Sequence, residues 1–202
     1  MFFWQNSCRQ VADFFNDGGP VMVPLFIVSI IMWLLIFNRI FFFRRLLQQD
    51  LDSNGALECI KTDRMPEIQP HGGAISILVT NFLSHRSRNQ MLDRFILDEN
   101  IAWLNRRLEG HLPLIGVLAT VAPLLGLLGT VTGMIATFDV MAIFGTGNAR
   151  GMACGISEAL ITTQTGLIVA IPGLYMHGYL LRRAHNIKQR VQRVGLYLRQ
   201  HL

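Results

Sequence analysis

Three stretches of the chain are apolar almost without interruption: 21–43, 112–144 and 156–181. Each reaches the roughly 20 residues that carry a helix across about 30 Å of hydrocarbon at 1.5 Å per residue. The pattern therefore predicts three membrane-spanning helices. Arg39, near the end of the first stretch, is expected to snorkel its guanidinium outward along the lipid. Ahead of that stretch, Phe3, Trp4, Val11, Phe14 and Phe15 gather roughly on one face of residues 1–20, and Gly18, Gly19 and Pro20 end the segment. It reads as an amphipathic helix lying on the membrane interface. The first stretch does not read as a cleavable signal: it is too long, it begins after residue 20, and its positive charge follows rather than precedes it.

Between the first two stretches, residues 44–111 read as helical, with breaks at "DSNG" (52–55) and "MPEIQPHGG" (65–73). In the second break, two prolines and two glycines rule out a continuous helix. From Asn89 onward Met91, Phe95, Ile101, Leu104 and Leu108 recur at helical spacing, so a helix leads toward the second span. After the third span, Ala184, Ile187, Val191, Val194 and Leu198 step by three and four through residues 182–202. Such a stripe prolongs the third helix beyond the membrane and asks for a partner. The fold class is all-α integral membrane, with the second and third helices extended past the bilayer.

Composition agrees: 51% hydrophobic residues, 15% charged and a mean hydropathy of +0.37 exclude an ordinary soluble domain. Charge then orients the spans. Residues 44–111 carry nine Lys and Arg and the segment after Leu181 six, against one each in 1–20 and 145–155. The positive-inside rule places residues 1–20 and the loop 145–155 outside, and residues 44–111 and 182–202 in the cytoplasm. The net charge of +5 thus reports topology, and the nine acidic residues of 44–111 cancel its nine basic ones, so nucleic-acid binding is not expected. Cys8, Cys59 and Cys154 form no metal or redox motif, and no disulfide is assigned to Cys8 and Cys154. The six histidines are scattered through loops and helix ends and read as solvated or interfacial. With no phosphate loop, metal spacing or nucleophile elbow, neither cofactor nor enzymatic chemistry is expected.

The second and third spans carry the unusual polar residues. Gly116, Thr120, Pro123, Gly126, Thr130, Gly133 and Thr137 run along one face of the second. Two readings stand for that stripe: close helix packing, for which Gly129 and Gly133 supply a G-x-x-x-G pair, or a polar passage lined by Thr120, Thr130 and Thr137. On the third, Glu158, Thr162 and Thr165 share a face by their i, i+4, i+7 spacing, while Thr163 and Gln164 turn away. Threonines in helices often bond back to their own backbone. A carboxylate is different, because insertion at bilayer depth costs roughly 2.5–3.5 kcal/mol. Glu158 is solvated at the outer interface, bonded between helices, or set along an internal polar path.

The pairing of "APLLGLLGTVTGMIATF" (122–138) with "GISEALITTQTGLIVAIPG" (155–173) closely resembles the ExbB/TolQ/MotA family of proton-driven motor subunits. The match rests on Pro123, Gly126, Gly129-Thr130-Val131 and Gly133, with Gly155, Glu158-Ala159-Leu160, Thr163, Gly166 and Ile171-Pro172. Three spans resemble the ExbB and TolQ branch more than the four-span MotA branch. The resemblance implies a homopentamer in the cell inner membrane, its second and third helices surrounding a pore that holds a dimer of a single-span ExbD- or TolR-like subunit. Protons would be the coupling ion, and a TonB- or TolA-like protein would receive the output. Thr130, Glu158 and Thr163 are the implied pore positions, with Thr162, Thr165, Thr120 and Thr137 as further candidates and Gly126, Gly129 and Gly133 as packing residues. An ExbB-like role in outer-membrane transport is the leading expectation. A TolQ-like role in envelope maintenance is the alternative, and a passive channel or membrane scaffold is the reading outside the family.

Overall fold

A computed structural model describes residues 18–48, 53–62, 73–87 and 89–201. The expected interfacial helix falls outside the described residues except at Gly18–Pro20, as do Cys8 and most of the 65–73 break. Among the described residues the regular elements are helices: α1 (Met22–Gln48), α2 (Ser53–Thr62), α3 (Ala74–His85), α4 (Gln90–Glu109), α5 (Leu112–Phe144) and α6 (Ala149–His201), with one 3-10 turn at Gly145–Gly147. Three segments are long and apolar enough to cross a membrane, in α1, in Gln90–Gly147 and in α6. The 53-residue α6 contains both the third apolar stretch and the amphipathic stripe that follows it. The break expected at 52–55 is instead a helix start. Ser53, Asn54 and Gly55 form the first turn of α2, where their poor mid-helix propensity costs little.

The chain divides into two compact units, one of residues up to Leu35 with Leu114–His177, the other of Ile36–Pro113 with Gly178–Leu202. In the first, α5 and α6 run antiparallel. Gly116 lies against His177, Gly126 against Thr163 and Gly166, and Gly133 against Gly155 and Ala159, so contacts descend one helix as they climb the other. Along the α5–α6 seam the buried residues are correspondingly small, among them Ala119, Ala122, Ala159 and Ala170, while Leu25 and Met32 of α1 and Ile115 of α5 supply the large buried side chains of this unit.

In the second unit the stripe Ala184, Ile187, Val191, Val194 and Leu198 finds its partner. All five are buried, and α4 supplies Leu97, Leu104 and Leu108 as buried leucines of its own. Three contacts fix the pairing as antiparallel: Lys188 Nζ to Glu109 Oε1 at 2.6 Å, Ile101 against Gly195, and Arg199 to Asp98 at 3.5 Å. The ion pairs are largely exposed and worth little, so burial of the stripe holds these helices together. The face of α4 differs from the one its sequence suggests. Met91 and Phe95 are 86% and 67% exposed, while Asp93 is buried. Asp93 accepts a hydrogen bond from Ser87 N at 2.8 Å and pairs with Arg86, whose Nη1 donates to Ile60 O at 2.9 Å. Securing the α3–α4 turn therefore takes precedence over apolar periodicity in the first turn of α4.

Arg39 corrects a third expectation. Rather than snorkelling outward, it is only 6% exposed. Its Nη2 donates to Arg107 O at 2.7 Å and to Leu108 O, and its guanidinium lies over the rings of Phe42 and Phe43 at 4.8 and 5.0 Å. The last carbonyls of a helix have no partner within it and carry the negative end of its dipole. Arg39 supplies donors and charge to that end of α4, just before Gly110 and the left-handed His111 (φ 65°) turn the chain into α5. Replacing Arg39 by Met keeps the aliphatic stem but strands both carbonyls. A loss of about 1.5–3 kcal/mol per bond is expected. Hydrogen exchange should accelerate in the last turn of α4, with a lower melting temperature in detergent, whereas Arg39→Lys should recover part of the loss.

Candidate functional site in the helix hairpin

The α5–α6 pair is held at backbone contact. A Cβ at Gly133 would lie 2.7 Å from Gly155 O and 2.8 Å from Ala159 N, and one at Gly166 would lie 2.9 Å from Ala122 O. Gly129 faces the Thr162 side chain, and Gly155 faces Thr137. Lipid tails give apolar surfaces no reason to leave them, so such close approach is what associates helices in a membrane. Gly126, Gly129 and Gly133 thus occupy the packing face of α5, and all three are buried.

The threonines separate into two groups. Thr162 is 1% exposed and donates to Glu158 O and Ala159 O, each at 3.0 Å; Thr137 is 4% exposed and donates to Gly133 O at 2.9 Å. Both point into the helix pair of a single chain, so neither presents its hydroxyl to an open face. Thr120 is exposed and donates to Val117 O at 2.9 Å, while half-buried Thr130 donates to Leu127 O at 2.6 Å. Thr165, also half-buried, donates to Ile161 O at 2.7 Å. Thr163 alone among the candidates reaches across: its hydroxyl is 3.0 Å from Ala159 O and 3.4 Å from Gly126 O on α5. These back-bonds satisfy each hydroxyl proton locally and leave the oxygen lone pairs available as acceptors.

Glu158 is half-buried and its carboxylate lies against Gly19, in the turn that leads into α1. Gly19 has φ 66°, a left-handed conformation that favours glycine, and a Cβ there would collide with the carboxylate. Thus Glu158 and Thr163 do not share a surface within one chain. Five helical residues rotate by about 140°, with the buried line of Ala159, Thr162 and Gly166 between them. A second carboxylate, Asp139, escapes a reading that takes 112–144 as simply apolar; it is exposed near the end of α5. Because Thr137 meets Gly155 and Gly133 meets Ala159, Glu158 sits more than a turn deeper than Asp139 along the pair. A signal for Asp139 was present, since it is the one ionisable residue between His111 and Arg150.

A close-packed helix hairpin beside a third apolar helix, with a half-buried carboxylate on its flank, is the architecture of a helical membrane protein. The chain belongs to the MotA/TolQ/ExbB proton channel family, whose model matches residues 74–193. It is 36% identical over 182 residues to the biopolymer transport protein ExbB-like 1 of Synechocystis sp., covering 85% of this chain and 71% of that one. Similarity to the ExbB of Aquifex aeolicus is 34% over 110 residues (54% and 71% of the two chains), and to the TolQ of Haemophilus influenzae 40% over 84 residues (41% and 36%). The matched region takes in α3 to most of α6, hence both helices of the hairpin.

Backbone contact makes the hairpin testable by one methyl group. Gly133→Ala is expected to destabilise the protein by about 1–3 kcal/mol, because backbone atoms on α6 must give way. Gly178→Ala, where a Cβ meets nothing within 4 Å, should be neutral or slightly stabilising. Thermal unfolding in detergent followed by size-exclusion fluorescence compares them.

Proposed function

We propose that the chain is the channel-forming subunit of an ExbB-like motor, in which protons moving inward down the membrane potential drive motion of the assembly around a single-span acidic partner. The observation that carries this reading is Glu158, a half-buried carboxylate set within the polar hairpin of a proton channel family member. Such a group costs insertion free energy, and its carboxylate lies against the glycine turn that leads into α1. A charge crossing 100 mV releases about 2.3 kcal/mol, comparable to the gap between two packed helix arrangements. Thr130 and Thr163, half-buried on the flanks of the hairpin, serve as water ligands along the path, whereas Thr137 and Thr162 serve packing.

The separation of Glu158 from Thr163 supports a ring. One chain does not turn both toward a common axis, but neighbouring copies bring different flanks of α6 to a shared passage. A homopentamer in the cell inner membrane, with residues 44–111 and 182–202 cytoplasmic, accommodates this with an ExbD- or TolR-like dimer inside. Energising a TonB-like protein for outer-membrane transport is preferred to a TolQ-like role because relatives matched over most of both chains are named ExbB or ExbB-like.

Glu158→Gln should assemble normally and lose at least about tenfold of potential-driven proton flux in proteoliposomes; full flux in that variant refutes the path. Native mass spectrometry of the detergent-solubilised complex should give five copies with the acidic partner bound. A stable monomer or dimer counts against the ring.

A further inference from the structure

We propose that the cavity between α3 and α4 receives α6 of the neighbouring copy, with Leu196 and Arg193 of that copy as the inserted side chains. This contact, which rests on the ring proposed above, gives the ring a seam outside the apolar segments. The cavity has a volume of about 520 Å³. Asn81 and His85 line it from α3, and Ile96, Glu99, Asn100 and Trp103 from α4. Arg107 lies over the Trp103 ring at 5.1 Å and steadies it as one wall. Leu92, Ile96, Glu99 and Trp103 step by four, three and four, so they form one stripe along α4. That stripe is turned away from the chain's own α6. The intrachain contacts use Asp98, Ile101 and Glu109, which lie about 140° around α4 from the stripe at 100° per residue. One flank of α4 thus serves its own α6, and the other is placed to take a further helix.

The complement to this stripe lies on α6. Gln189, Arg193, Leu196 and Gln200 step by the same four, three and four, and all four are exposed. They lie about 115° around α6 from Lys188, Gly195 and Arg199, the residues that meet α4. Leu196 is 60% exposed in a segment whose Val191, Val194 and Leu198 are buried. The charges select the pairing. Setting α4 of one copy on α4 of the next would oppose Glu99 to Glu99, and α6 on α6 would oppose Arg193 to Arg193. Setting α4 on α6 opposes Glu99 to Arg193. Each copy then offers α4 to one neighbour and α6 to the other, a head-to-tail contact that repeats around a ring.

Depth matches as well as charge. All copies of a ring share one orientation to the membrane, so a side chain meets its neighbour at its own level. Lys188 beside Glu109, Gly195 beside Ile101 and Arg199 beside Asp98 fix the levels along the antiparallel pair. On that scale Leu196 falls between Glu99 and Trp103, and Gln200 falls within a residue of Ile96. Arg193 falls within a residue of Trp103, about 7 Å along the axis from Glu99, a span that the two long side chains bridge. Leu196 therefore packs on Ile96 and Trp103, Arg193 pairs with Glu99, and Gln200 exchanges hydrogen bonds with Asn100.

The test traps the contact in membranes that hold the full chain with its co-expressed single-span partner. Cys8, Cys59 and Cys154 are replaced by Ser, and Ile96→Cys and Leu196→Cys are introduced together. Within one chain these positions are turned away from each other, so a disulfide must join two copies. Oxidation should give a ladder of linked chains that ends at the ring. Its yield should exceed by about tenfold that of either single variant, or of Ile96→Cys with Arg182→Cys, which lies about 21 Å from Leu196 along α6. Dimers alone, or no ladder from a complex that keeps its ring by native mass spectrometry, overturns this contact and leaves the ring standing. A wild-type chain that is monomeric in the same measurement removes the ring as well. Glu99→Arg and Arg193→Glu should each lower the share of chains in the ring about tenfold at limiting concentration, and the double variant should restore it. Undiminished rings in both single variants, or a double variant no better than either, also overturns the contact.

Discussion

Backbone contact between α5 and α6 is the constraint on which the rest of the hairpin depends. Hydrocarbon offers no hydrophobic drive for helices to associate, so the pair needs dispersion over a long, close seam. Gly126, Gly129 and Gly133 on one side and Gly155, Ala159 and Gly166 on the other provide it, with Thr162 and Thr137 filling the space that Gly129 and Gly155 leave. Thr137 and Thr162 fit that seam only because each hydroxyl is bonded to its own helix. Once the seam is fixed, everything polar and unabsorbed by it lies on its flanks: Glu158 on one, Thr163 on the other.

The same α6 helix changes its packing chemistry along its length. In its first half it buries glycine, alanine and threonine; in its second it buries Ala184, Ile187, Val191, Val194 and Leu198. The first pattern suits lipid, where only contact counts. The second suits water, where burying a large aliphatic side chain is worth about 1.5–3 kcal/mol. Arg39 belongs to neither regime. As a buried cation capping the C-terminus of α4, it ties the late part of α1 to the helix that precedes α5 through two carbonyls that would otherwise lack donors.

Features set by composition and period were legible in the sequence: three apolar segments, the aliphatic stripe of α6 and the glycine face of α5. Features set by tertiary partners were not. A hydropathy reading sends Arg39 outward because it cannot know that the end of a helix 68 residues away needs a donor. Met91 and Phe95 match a helical period, yet the turn requires Asp93 inside, and one residue type on the buried face excludes the others by rotation alone. Among the polar positions, spacing grouped Thr162 with Glu158 correctly as neighbours on the wheel. It could not say that the seam runs through Thr162 and stops short of Glu158.

That distinction bears on how such a subunit works. If the seam ran through Glu158, the carboxylate would be locked by packing, and each change of its charge would strain the helix pair. Set instead on the flank beside Gly19, it lies clear of the contacts that Gly133, Gly155 and Ala159 make. The carboxylate and the contacts that hold the helices together thus lie on different faces of one helix. In the proposed ring that separation would matter, because protons that bias its motion would then leave intact the pair that transmits it.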